Sequence, residues 1–134
     1  MSRRFLFLAF GCAFAVHAGA ADIRVYTDHS IALQHTRGAK IVFLDAPQHL
    51  EQALSAGLPA DAGRAGVIAR QRLQAGGAHL RREFANAWQG VTDAWRLGIT
   101  KIPAVVADGR YVIYGESDVA KAVARIAAFR SKKP

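Results

Sequence analysis

The spacing of apolar residues along this chain changes several times, and each change marks an element. Ile23-Arg24-Val25-Tyr26 alternates apolar and polar positions, while Lys40-Ile41-Val42-Phe43-Leu44 is a denser apolar run that ends at Asp45. Both predict strands, the second more buried. Between them, His29 to Arg37 is long enough for a short helix or an ordered loop, and Gly38 breaks the chain before the second strand. Two parallel strands require a crossover of that kind.

Beyond Pro47 a short helix is predicted through Leu54, ended by Gly57 and Pro59. Asp61 is placed to cap a second helix running to about Gln74, where Gly76-Gly77 stops it. From Ala78 to Leu97, the residues Leu80, Phe84, Ala87, Trp88, Val91, Ala94 and Trp95 recur at three- and four-residue intervals, the pattern of an amphipathic helix. Gly98 suits the left-handed residue that terminates it. Pro103 precedes the apolar Ala104 to Ala107, Asp108-Gly109 has the composition of a two-residue hairpin turn, and Tyr111-Val112-Ile113-Tyr114 returns as the partner strand. Gly115 ends that strand and Ser117 is the expected cap of a last helix, whose apolar stripe is Val119, Ala122, Val123, Ile126 and Phe129. The order predicts a thioredoxin-like α/β fold: a central mixed sheet of about four strands flanked by helices, with a C-terminal β-hairpin and helix.

The first residues change the picture of where this domain resides. Arg3 and Arg4 precede an apolar run from Phe5 to Val16, and Ala18-Gly19-Ala20 offers small residues for cleavage, so residues 1–20 read as a secretory signal peptide. The run is shorter than the roughly 20 apolar residues of a membrane span, and no transmembrane segment is expected after processing. Acylation at Cys12 fits poorly, because Ala9-Phe10-Gly11 is a weak lipobox. Cleavage after Ala20 leaves a single domain, residues 21–134, expected in the periplasm. It also removes the chain's only cysteine. A mature protein without a thiol has no thiolate for disulfide exchange.

Processing also removes two arginines, leaving 16 basic against 10 acidic residues and a net charge of +6 with histidines neutral. Such a balance favours anionic partners without naming one. The basic residues are scattered and not interleaved with aromatics, so direct contact with nucleic acid is not expected.

Several segments resemble a family of small exported proteins encoded by integrating conjugative elements. They are Arg70-Gln71-Arg72-Leu73, then Trp88-Gln89-Gly90-Val91-Thr92-Asp93-Ala94-Trp95, then Leu97-Gly98-Ile99-Thr100-Lys101-Ile102-Pro103-Ala104-Val105-Val106, and Tyr111-Val112-Ile113-Tyr114-Gly115. More weakly, the chain is similar to TrbC-type assembly proteins of F-like conjugation systems, which carry a thioredoxin-related fold. The resemblance implies a place in the envelope-spanning DNA-transfer apparatus, with other proteins of that apparatus as partners. Redox-active thioredoxin relatives carry Cys-x-x-Cys after the first strand, opposite a cis-proline. Here Pro103 matches the proline, whereas Asp28-His29-Ser30-Ile31 carries no sulfur.

The candidate chemistry is correspondingly spare. Pro103 is expected in cis from that resemblance, with an ordinary trans strand-leading proline as the alternative. The loop Thr100-Lys101-Ile102-Pro103 is then a candidate peptide-binding edge. Trp88 and Trp95, seven residues apart, share a helix side with Phe84 and Val91. They read first as core and second as an exposed docking strip, and Tyr111 is a further candidate contact. His29, His35, His49 and His79 are read as forming no recognised ligand spacing, so no metal or other cofactor is expected. Asp28-His29-Ser30 contains the residue types of a hydrolase triad but reads as a coincidental loop. The leading expectation is a non-catalytic protein acting through protein contacts. The competing classes are a chaperone or isomerase-type enzyme and a basic nucleic-acid-binding module.

Overall fold

The computed structural model describes residues 21–132. The signal-peptide reading of residues 1–20, Cys12 included, lies outside them. Seven elements follow in order: β1 (Ile23–Thr27), β2 (Ala39–Phe43), α1 (Ala46–Ser55), α2 (Ala62–Arg96), β3 (Ala104–Ala107), β4 (Tyr111–Tyr114) and α3 (Val119–Ser131). The four strands form one mixed sheet in the order β2-β1-β3-β4. β1 runs parallel to β2 and antiparallel to β3, and β3 pairs antiparallel with β4. The crossover from β1 to β2 is an ordered loop, tied to the start of α3 where Gln34 accepts from the Val119 N–H and donates to the Ser117 carbonyl. No helix among the described residues is long and apolar enough to cross a membrane.

Period-two alternation sends neighbouring strand residues to opposite faces, and both faces are covered. On one, Val25 and Val105 pack with Val119 and Ala122 of α3. On the other, Tyr26, Ala104 and Val106 pack with Ala94 of α2. β3 is therefore buried along its whole length, which fits its run of small and β-branched side chains. The Tyr26 hydroxyl is buried without a hydrogen-bond partner among the described residues.

The two central helices predicted between Asp61 and Leu97 are present, joined into one element that kinks at Gly77 (φ 50, ψ −139), a conformation other residues rarely adopt. The Asp61 carboxylate accepts from the Arg64 N–H and caps the first turn, as expected. Arg72 donates to the Leu54 and Ala56 carbonyls, both at 2.7 Å, and so satisfies the C-terminal end of α1. Further along α2, Gly90 faces β2. A Cβ there would lie 2.6 Å from Val42 Cγ1, so the missing side chain lets the helix approach the sheet.

Asp108 (φ 52) and Gly109 (φ 63) both take positive φ, as the hairpin turn requires, but the connection is three residues long and not two, because Ala107 pairs with Tyr111 and Arg110 joins the turn. The cap of α3 is one residue later than expected: it is Asp118, whose carboxylate accepts from the Lys121 N–H, and not Ser117. Asp118 is buried, and its ring contact with His35 is 3.1 Å. Burial alone pushes this carboxyl up, but the Lys121 N–H and the His35 ring outweigh it and hold its pKa below the usual carboxylate value. A depressed folded value contributes stability above the unfolded value, and that contribution is lost as pH falls through the folded one. Asp118→Asn is thus expected to destabilise the protein at neutral pH, with the gap to the wild type closing below about pH 4, measured by denaturant unfolding across pH.

Candidate functional site

One edge of the sheet gathers the C-terminal ends of β1 and β2 and the start of β3. Most of the sequence-predicted residues lie there, together with a cluster that sequence reasoning missed. Thr100 and Lys101 are exposed, Ile102 is half-buried and Pro103 is buried. The Ile102–Pro103 bond is cis. The Pro103 carbonyl accepts from the Gly115 N–H at 2.8 Å, which joins this loop to the end of β4.

The tryptophans are not core residues, which decides between the two readings against burial: Trp88 is 52% exposed and Trp95 82%. The inward line of α2 is Phe84, Ala87, Val91 and Ala94. Each tryptophan follows one of those residues directly, so it is rotated about 100° away from the sheet. Trp95 sits in the last turn of α2, where the Gly98 and Ile99 N–H groups donate back to the Trp95 and Ala94 carbonyls and turn the chain toward Thr100. Leu97 and Tyr114 are also exposed, and the Tyr114 hydroxyl reaches the Gly98 carbonyl at 3.4 Å. Tyr111 stands apart from this surface. It pairs with Ala107 at the turn end of the hairpin, about 10 Å along the strand from Tyr114. There it meets the Phe129 ring edge-on and lies under the Arg130 guanidinium at 4.5 Å.

The missed cluster is His29, Asp45 and His49. In the parallel register Thr27 is level with Phe43, so two residues further on His29 comes level with Asp45. His49 is four residues into the helix that Asp45 begins, on the same side. His29 Nδ1 lies 2.8 Å from Asp45 Oδ1, and His49 Nε2 lies 3.0 Å from Asp45 Oδ2. The His29 backbone N–H donates to Asp45 Oδ2 at 3.1 Å. Asp45 occupies the cap position of α1 yet makes no capping hydrogen bond with its side chain, which turns to the histidines instead. Partial burial opposes ionisation of Asp45, but the His29 N–H and the two imidazoles outweigh it and lower its pKa to about 2. The His29 ring stacks on Phe43 with centroids 4.1 Å apart and meets His49 edge-on at 4.5 Å.

Behind the cluster a cleft of about 670 Å³ runs between β2 and α2, lined by residues including Tyr26, Phe43, Asn86, Gly90 and Asp93. Ser30 donates its hydroxyl to Asp28 at 2.6 Å and has no histidine partner among the described residues, so Asp28-His29-Ser30 is not arranged as a nucleophilic triad.

The family model described as "Protein of unknown function (DUF1525)" matches residues 20–132, and the chain belongs to that family. No curated protein and no solved structure is matched by the chain.

Proposed function

We propose that this protein is a non-catalytic, thioredoxin-like component of a conjugative DNA-transfer apparatus, exported to the periplasm, that works by docking another protein of the same integrating conjugative element. The observation that carries the docking role is the exposure of Trp88 and Trp95, 52% and 82%, on the side of α2 turned away from the sheet, with Trp95 in the last turn before the Thr100–Pro103 loop. Tryptophan exposed to this extent is unusual on a free surface and is among the commonest anchors of protein interfaces. Arg96 and Lys101, both exposed, add positive charge beside it. The fitting partner surface is an apolar pocket with an acidic rim.

The thioredoxin-like reading draws on the strand order β2-β1-β3-β4, with one parallel and two antiparallel pairs and a proline leading into β3. The non-catalytic reading draws on the removal of Cys12 with the signal peptide, and the assignment to conjugation draws on the sequence resemblance. Deleting the chain from donor cells that carry the whole element tests the role. Transfer is expected to fall and to return only with a copy that retains residues 1–20. Undiminished transfer without the chain contradicts the role, and turnover by processed protein in a disulfide-reduction assay contradicts its non-catalytic character.

A further inference from the structure

We propose that His29, Asp45 and His49 bind one first-row divalent cation of borderline softness, with Zn²⁺ as its representative. This does not depend on the docking surface. The donor atoms, two imidazole nitrogens and a carboxylate oxygen, all lie within 4.8 Å of one another. A tetrahedral zinc ion with bonds of about 2.1 Å spaces its ligands about 3.4 Å apart, so the donors need only small ring rotations to converge. The space for that is present, because the His29 and His49 side chains are 48% and 53% exposed.

The three residues are held in place by features that a chance surface contact lacks. The β1–β2 register sets His29 level with Asp45, Phe43 stacks on the His29 ring, and the His29 N–H fixes one carboxylate oxygen. Asp45 forgoes capping its own helix to face both imidazoles. The composition of the site sets its selectivity. Two nitrogens and one oxygen suit Zn²⁺ and its first-row neighbours, whereas Mg²⁺ and Ca²⁺ prefer all-oxygen shells. Three protein ligands also leave a coordination position open to water or to a side chain from outside.

Two other histidine–carboxylate pairs provide internal controls. His79 and Glu83 approach to 3.3 Å and His35 and Asp118 to 3.1 Å, but each pair offers only two donors. Calorimetric titration of purified, untagged protein with zinc chloride, and separately with magnesium chloride, tests the site. The expected result is one zinc per chain and no magnesium binding. His29→Ala and His49→Ala should each weaken zinc binding by more than about tenfold, since loss of an outer-shell partner alone costs ~10–100-fold. His79→Ala should bind zinc as the wild type does. His49 is exposed on a helix, so its removal leaves the core intact. Zinc should raise the thermal unfolding midpoint of the wild type but not that of His49→Ala. Absence of zinc binding by the wild type, or zinc binding by both histidine variants as tight as that of the wild type, overturns the assignment and leaves a plain hydrogen-bonded His-Asp-His network.

Discussion

Replacing both Trp88 and Trp95 by alanine is expected to abolish the protein's contribution to DNA transfer while leaving its unfolding midpoint close to that of the wild type. The two effects separate because neither ring belongs to the packed layers: α2 meets the sheet through Ala94, with Val42, Leu44 and Ile99 alongside. Removing an exposed side chain away from the core changes stability by only about 0.5 kcal/mol in either direction. Truncating an anchoring tryptophan in an interface costs about 2 kcal/mol or more, roughly 30-fold in affinity for each ring. The measurement is transfer frequency from donors carrying the double variant, alongside thermal unfolding of the purified protein. Full transfer by a folded double variant removes the tryptophans from the functional surface.

The second large effect is on stability. Gly90→Val is expected to lower the unfolding midpoint by on the order of 10 °C, because a Cβ would stand 2.6 Å from Val42 Cγ1 and valine adds two further methyl groups. Val42 has little freedom to yield, since its branched side chain is stiff at χ1 within β2. The helical preference of a non-glycine residue returns less than about 1 kcal/mol, well short of an overpacking cost of about 3 kcal/mol. Pairing the change with Val42→Ala should recover part of the loss in a double-mutant cycle. Additive effects of the two substitutions would show that helix and strand do not meet there. Displacement of α2 would also narrow or open the cleft it shares with β2.

Local features were legible where one segment decides the outcome. The Asp108-Gly109 turn, the break at Gly76-Gly77 and the Asp61 cap each depend on residues within a turn of one another, and each lies where the sequence placed it. Legibility failed where distant segments compete. Ser117 and Asp118 are both good cap residues, and the choice falls to Asp118 because Gln34 of the crossover loop binds the backbone on either side of it. Trp88 and Trp95 match the spacing of the apolar stripe, but seven residues of helix are compatible with two parallel lines one residue apart. Only packing against the sheet selects Ala87 and Ala94 as the inner line.

The histidine cluster was the least visible feature. Asp45 and His49 have the four-residue spacing of one helix face, yet Asp45 reads as the end of a strand. His29 joins them only through the register of a parallel pair. Alternation along one segment shows which of its residues share a face, not which residue of another strand lies level with them.

Docking through the Trp88 and Trp95 surface is tested most directly by a photoactivatable crosslinker placed at position 95 in donor cells carrying the whole element, with position 125 on α3 as the reference face. Arg125 is exposed but belongs to the helix on the opposite side of the sheet. Docking through this surface gives a single dominant adduct from position 95 with another protein of the same element, and none of that adduct from position 125. The same adduct at equal yield from both positions, or no adduct from position 95, contradicts it.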